Sequence, residues 1–294
     1  MLLSRKVKLY PMKKILVPTD FSKPASWALQ TAINIARKVK AEITLLHVVE
    51  QPTKESFHVT GEVFSQGDWE DKLFTLKLIE RNKAQLADQA TEAERAGVAV
   101  RQELRMGNPY HGMKTIIADH KVDLVVMGTA SRSNMEEMLV GSNTEKVIRS
   151  AACPVLTVHH GPSVVEFKNI VYATSMSANE KSFSDVIRVM QDMFDSTVHF
   201  VRINTPLNFQ PDAKVKPLME NFARSTRLKN YTVSSYNDFS EEEGILHFAA
   251  SVNADLVGMA THGRTGFAHA LVGSIAEDVA QHARRPVLTS IIKE

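Results

Sequence analysis

Residues 123–157 read DLVVMGTASRSNMEEMLVGSNTEKVIRSAACPVLT, and residues 255–289 read DLVGMATHGRTGFAHALVGSIAEDVAQHARRPVLT. The two stretches align without a gap, and about half of their positions are identical. Self-similarity of this length marks a tandem duplication of one domain. Each copy runs from a buried apolar strand into a loop, then to Gly141-Ser142 or Gly273-Ser274, a short helix, and a strand that begins at a proline. Strand, flexible loop, Gly-Ser and helix start form the order a backbone needs to cradle phosphates. Glycines let main-chain N–H groups approach an anion, and the first helical turn offers unpaired donors with a favourable dipole.

Working outward, the same alternation fills the chain. In the first half, strands are read at 15–18, 43–49, 98–104, 123–127 and 154–158. Helices are read at 26–38, which Ser22 can cap, and at 71–96, 110–120 and 143–150, with a long polar loop at 50–70. In the second half, strands are read at 168–175, 198–203, 231–236, 255–259 and 286–291, with helices at 180–193, 213–228 and 240–252. Strands alternating with helices predict an α/β fold: two tandem doubly wound domains, each a five-stranded parallel sheet flanked by helices. The expected boundaries are a weakly ordered leader at 1–12, a first domain at 13–160, a linker at 161–166 and a second domain at 167–294. The second copy is shorter, mostly in the loop and helix after its second strand. Residues 1–11 are basic but lack the apolar core and cleavage site of a signal peptide, and Met12 reads as a candidate start.

The composition excludes several classes. A chain of 294 residues with 44% apolar and 23% charged residues is built to fold. Its net charge of +2 is too small to argue for nucleic acid or an acidic membrane as partner, and neither is expected. No apolar run reaches membrane-spanning length. Cys153 is the only cysteine, which excludes a disulfide framework and suits a cytoplasmic location.

In such a sheet, ligands bind beyond the carboxyl ends of the strands, where strand order reverses. In the first half this brings together Pro18-Thr19-Asp20, Val48 and the loop from Gly128 to Ser142. In the second half it brings together Ala173-Thr174-Ser175, Ile203 and the loop from Ala260 to Ser274. The Asp20 carboxylate can accept from a ribose hydroxyl, the Val48 backbone can read an adenine edge, and the loop can take phosphates. Arg132 and Arg264 align between the halves, within reach of a phosphate or simply exposed. His47, His159, His160, His262 and His269 have no ligand spacing that suggests a metal.

Over Lys13 to Ile291 the sequence resembles the universal stress protein family in its tandem two-domain form. The resemblance rests on the loop Gly-x2-Gly-x9-Gly-Ser/Thr after a buried strand. The second half carries it as Ala260-x2-Gly263-x9-Gly273-Ser274. The first carries it as Gly128-x2-Ser131-x9-Gly141-Ser142. It implies the adenine nucleotide α-hydrolase-like fold, ATP as ligand, with Mg²⁺ where the ion accompanies it, and final strands that pair across a pseudo-two-fold axis. An unidentified protein partner and a role in the stress response are expected on the same ground, and a homodimer of the whole chain is expected because an exposed terminal strand favours pairing. The implied nucleotide contacts are Pro18, Thr19, Asp20, Val48, Gly128, Ser131, Arg132, Gly141, Ser142 and Asn143 in the first half. In the second they are Ala173, Ile203, Ala260, Gly263, Arg264, Gly273, Ser274 and Ile275. The halves depart from the pattern in complementary ways. Ser131 replaces a glycine in the first, whereas Ser175 stands in the second where the family has an aspartate.

The sequence has no P-loop G-x-x-x-x-G-K-[ST] and no nucleophile elbow G-x-S-x-G. A nucleotide would be held more than turned over, with slow hydrolysis at most. Two other readings stand beside nucleotide binding: an interaction module that kept only the fold, and an enzyme of multiple turnover on a related fold.

Overall fold

The computed structural model describes residues 10–50, 68–129, 142–159, 166–261 and 275–292. The first half contains β1 (Lys14–Pro18), α1 (Lys23–Val39), β2 (Glu42–Val49), α2 (Asp68–Arg95), β3 (Val100–Met106), α3 (Pro109–His120), β4 (Leu124–Gly128), α4 (Ser142–Ser150) and β5 (Val155–Val158). The second contains β6 (Asn169–Ala173), a 3-10 turn at Ala178–Glu180, α5 (Lys181–Phe194), β7 (Thr197–Asn204), α6 (Asp212–Thr226), β8 (Tyr231–Asn237), α7 (Glu241–Ser251), β9 (Leu256–Thr261), α8 (Ile275–His282) and β10 (Val287–Ile291).

The central strands form because their residues are apolar on both faces. Ile15, Leu16 and Val17, and likewise Leu124, Val125 and Val126, are buried, as parallel strands covered by helices require. Helix α1 begins at Lys23, three residues before the expected Ser26. The Ser22 hydroxyl accepts from the Ala25 N–H at 3.3 Å, and Pro24 is already suited to the first turn. Helix α2 has 28 residues and its counterpart α6 has 15, which is where the second copy is shortened.

The ten strands of the described residues lie in one sheet, ordered β3-β2-β1-β4-β5-β10-β9-β6-β7-β8. Pairing within each half is parallel, and the strand order reverses between β1 and β4 and between β6 and β9. The halves meet where β5 and β10 pair antiparallel, with Leu156 opposite Leu288 at the centre. Across that centre the Thr157 hydroxyl donates to the Val287 carbonyl at 3.3 Å, and the Thr289 hydroxyl to the Val155 carbonyl at 3.4 Å. The expected pairing of the final strands is therefore what the fold uses. It also consumes the free edge on which the expectation of a whole-chain homodimer rested. The outer edge strand β3 carries Arg101, Glu103 and Arg105, which pair with one another; charge of this kind discourages strand addition.

Each face of the sheet carries one core, and each core runs through both halves. Helices α1, α2, α5 and α6 cover one face, and α3, α4, α7 and α8 cover the other. The second face is also tied at the junction by Arg149, whose guanidinium donates through Nε to Glu277 Oε1 at 2.6 Å and through Nη2 to Oε2. Glu277 is buried. This bidentate pair holds α4 against α8.

The halves fill matching space with different side chains. In the first half, Val126 of β4 lies in the same core as Ala28 and Ala32 of α1. At the matching positions beside β9, Gly258 lies under Phe183 and Ile187 of α5. Volume lost from the strand is regained on the helix, which keeps the interior filled.

Residues 10–12, which the sequence places in a leader, pack on the first half. Met12 is buried, and the Tyr10 hydroxyl donates to the Asp123 carbonyl at 2.8 Å. The expected linker 161–166 lies outside the described residues except for Glu166.

Cys153 is 5% exposed, and burial, with the nearby Asp123 carboxylate second, pushes its thiol up to about 12. Only the thiolate attacks, so its population at pH 8 is negligible in the folded protein. Native protein at pH 8 is expected to resist a disulfide reagent and to react at one thiol per chain once unfolded in denaturant. Stoichiometric labelling of the native protein within seconds would contradict the packing described.

Candidate functional site

Each half has one place at the carboxyl ends of its strands where the strand order reverses, which is where sheets of this kind form a ligand crevice. In the first, the Thr19 N–H donates to the Leu46 carbonyl at 2.8 Å, and the chain then leaves β1 in a tight turn. The turn is held by its own side chains. The Thr19 hydroxyl accepts from the Phe21 N–H and Asp20 Oδ1 from the Ser22 N–H, both at 3.0 Å. Phe21 has φ 63°, a left-handed conformation forced by the reversal. Pro18 is half-buried, Thr19 is buried, and Asp20 is exposed at the rim.

Beneath the turn, His47 Nδ1 lies 2.7 Å from the Thr19 carbonyl, and its Nε2 lies 3.0 Å from Asn82 Nδ2 of α2. A carbonyl only accepts, so Nδ1 carries the proton and Nε2 accepts from the Asn82 amide. His47 thus positions the turn, a role that its place in the sequence does not reveal.

Val48 lies one strand over. Leu46 bonds toward β1 and Val49 toward β3, where its carbonyl accepts from the Gly107 N–H at 2.9 Å. Backbone groups alternate sides along a parallel strand. The N–H and C=O of Val48 therefore face β1, beyond Pro18, where β1 has already turned away. The Val48 side chain turns to α3, against Gly112; a Cβ there would meet Val48 Cγ2 at 2.9 Å. Gly128, at the end of β4, is packed against the first turn of α1. A Cβ would lie 2.3 Å from both the C and the O of Pro24. Its glycine is thus explained by close packing of backbone. Ser142 and Asn143 open α4. Ser131, Arg132 and Gly141 lie outside the described residues.

The second crevice repeats the turn. The Thr174 N–H donates to the Val201 carbonyl at 3.0 Å, its hydroxyl accepts from the Met176 N–H at 2.8 Å, and Met176 has φ 64°. Ala173 and Ile203 are buried, and Ile203 sits against Gly244 of α7 as Val48 sits against Gly112. Ala260 is the penultimate residue of β9 and Ile275 begins α8, both half-buried. Gly263, Arg264, Gly273 and Ser274 lie outside the described residues, as do His160, His262 and His269.

Where the first half has Ala25, the second has Glu180. It is buried and turned under the turn rather than out to the rim. Tyr172 beside it is held well above its ordinary pKa by burial first and by Glu180 second. Glu180 was legible as the fourth residue of Ser177-x-x-Glu180, a capping box; apolar periodicity alone marks it only as a helix start. Among the described residues, no three His, Cys, Asp or Glu side chains are grouped to hold a metal ion, and no helix is long and apolar enough to cross a membrane.

Comparison with known proteins agrees with this geometry. The model of the Universal stress protein family matches residues 11–159 and 239–290. Universal stress protein MJ0531 of Methanocaldococcus jannaschii is 35% identical over 146 residues, which are 50% of this chain and 81% of that protein. Universal stress protein MJ0577 of the same organism is 35% identical over 154 residues, 50% of this chain and 94% of that one. Across nearly the whole length, a universal stress protein from Archaeoglobus fulgidus superposes with a TM-score of 0.74 at 19% identity, covering 96% of this chain and 99% of its own.

Proposed function

The chain belongs to the universal stress protein family, and on that premise we propose that it binds an ATP-type adenine nucleotide at the carboxyl end of the sheet in at least one half. One observation carries the reading. At the first crevice, an exposed carboxylate, Asp20, stands beside backbone groups of Val48 that face past the end of β1. A ribose hydroxyl suits the first, and the donor and acceptor of an adenine edge suit the second. The phosphates would go to the loops that begin at Gly128 and Ala260, through Ser131, Arg132, Gly141, Ser142 and Asn143 in one half and Gly263, Arg264, Gly273, Ser274 and Ile275 in the other. The described residues group no metal ligands, so any Mg²⁺ would come with the phosphates.

Nothing in the sequence supplies a P-loop lysine, so the nucleotide is held, and occupancy is the signal. The protein then acts in the cytoplasm as a stress-response regulator whose partner reads that occupancy. Leu207, Phe209 and Phe239 stand exposed on the loops after β7 and β8, at the same end of the sheet, where an apolar contact with a partner is available. The repeated element order supports a domain division at 13–160 and 167–294.

Titration calorimetry with ATP, with and without Mg²⁺, tests the proposal. Saturable binding below millimolar concentration is expected. Absence of heat and of displacement of a fluorescent ATP analogue at millimolar ATP would leave the fold with a different role.

A further inference from the structure

The turn after β6 contains its own anion. Glu180 is 2% exposed. Its Oε1 accepts from the Ser175 N–H at 3.0 Å, the Ser175 hydroxyl at 2.7 Å and the Ser177 N–H at 3.2 Å, and its Oε2 accepts from the Thr174 hydroxyl at 2.6 Å. The first half makes the same reversal without an internal carboxylate. There the Ser22 N–H goes to Asp20, which is exposed, and Ala25 stands where Glu180 would be.

We infer that Glu180 closes the second crevice to a nucleoside, so that the sugar and base of an adenine nucleotide are held by the first half alone. The inference rests on the nucleotide reading above and names the half. A ribose hydroxyl needs an outward acceptor. In the second half the Ser175 hydroxyl and two amides are directed inward, and the only carboxylate at the turn is buried under them. Drawing any of these donors outward would strip a buried charge of its partners, which is costly. The neighbouring strand end differs as well. Ile203 is 6% exposed, whereas Val48 is half-buried. The loop beyond β7 is tied across the strand end by Asn204 Nδ2 to the Gln210 carbonyl at 3.1 Å and by Arg202 Nη2 to the Asn208 carbonyl at 3.0 Å. Asn208 is itself fixed by donating to Glu241 at 2.8 Å.

Calorimetric stoichiometry with ATP tests this on the full chain. One equivalent per chain is expected. Asp20→Ala should weaken it about tenfold or more, the worth of one charge-assisted hydrogen bond. Ser175→Asp alone should add no site, because its carboxylate would lie against that of Glu180. Ser175→Asp combined with Glu180→Ala should add a second equivalent, with thermal melting confirming that the double variant is folded. Asp20 is exposed, so its arm stands even if the double variant is not. Two equivalents in the unaltered protein, or one equivalent whose affinity Asp20→Ala leaves unchanged, overturns the inference alone. No binding by the unaltered protein or by the folded double variant overturns the nucleotide reading and the inference together.

Discussion

Gly128→Val is expected to lower the unfolding free energy by roughly 3 kcal/mol, the upper end of what overpacking costs. Most overpacked sites relax because the opposing atom is the end of a side chain. At Gly128 the opposing atoms belong to the main chain: a Cβ would stand 2.3 Å from Pro24 C and O and 2.7 Å from Ala25 N. The first turn of α1 would have to lift, breaking the Ser22 cap and moving Asp20 with it. The second half shows what such a lift entails. Its matching residue is Ala260, and there the first turn is the 3-10 segment Ala178–Glu180, with the α-helix starting only at Lys181. A urea titration measures the effect as a lower midpoint with an unchanged slope. A shift worth less than about 0.5 kcal/mol, the range of an ordinary surface change, would show that the turn and β4 are not in contact.

The second large effect is a coupled one. Gly258→Val is expected to cost about 2 kcal/mol and Ile187→Ala about 3 kcal/mol. The two together should cost at least about 1 kcal/mol less than their sum. A Cβ at Gly258 would lie 2.7 Å from Ile187 Cδ1 and 3.3 Å from Phe183 Cζ. Both side chains are fully buried and cannot swing away. Removing the Ile187 branch opens the space that the valine needs, which reproduces the residues at the aligned positions of the first half, Val126 and Ala32. Recovery should be incomplete, because Phe183 still occupies its place edge-on to Tyr172, with ring centroids 5.2 Å apart. A double-mutant cycle in denaturant gives the coupling directly; strict additivity would mean that the two residues do not share one volume.

The fold was legible in the sequence for a physical reason. Parallel strands covered on both sides appear as unbroken apolar runs, and Ile15–Val17 and Leu124–Met127 have almost no other reading. Duplication supplied the topology, since one half could be checked against the other. Element ends were less legible. The apolar face of α1 begins at Ser26, whereas the helix begins at Lys23 directly after the Ser22 cap that the sequence offers, because a cap and Pro24 carry no hydrophobic signal. Of the candidate site, the placement of Asp20 and Val48 at the strand ends could be derived from strand order alone. The loop pattern makes Gly128 a phosphate-loop glycine, yet its described contacts are with the backbone of α1. Glu180 is legible as a capping residue, but its wider role is not, because that depends on a side chain bending back under its own turn. A capping pattern shows that such a contact forms, but not which other donors it collects.

The antiparallel junction of β5 with β10 has a consequence for how this chain can change over time. In a symmetric dimer of identical halves, every substitution arises twice, and each must be tolerated in both places at once. Joining the halves in one chain removes that restriction. Val126 with Ala28 and Ala32, against Gly258 with Phe183 and Ile187, are two separate histories of the same volume. So are the rim carboxylate of Asp20 and the inward carboxylate of Glu180. One half is free to keep an old chemistry while the other becomes its permanent structural mate.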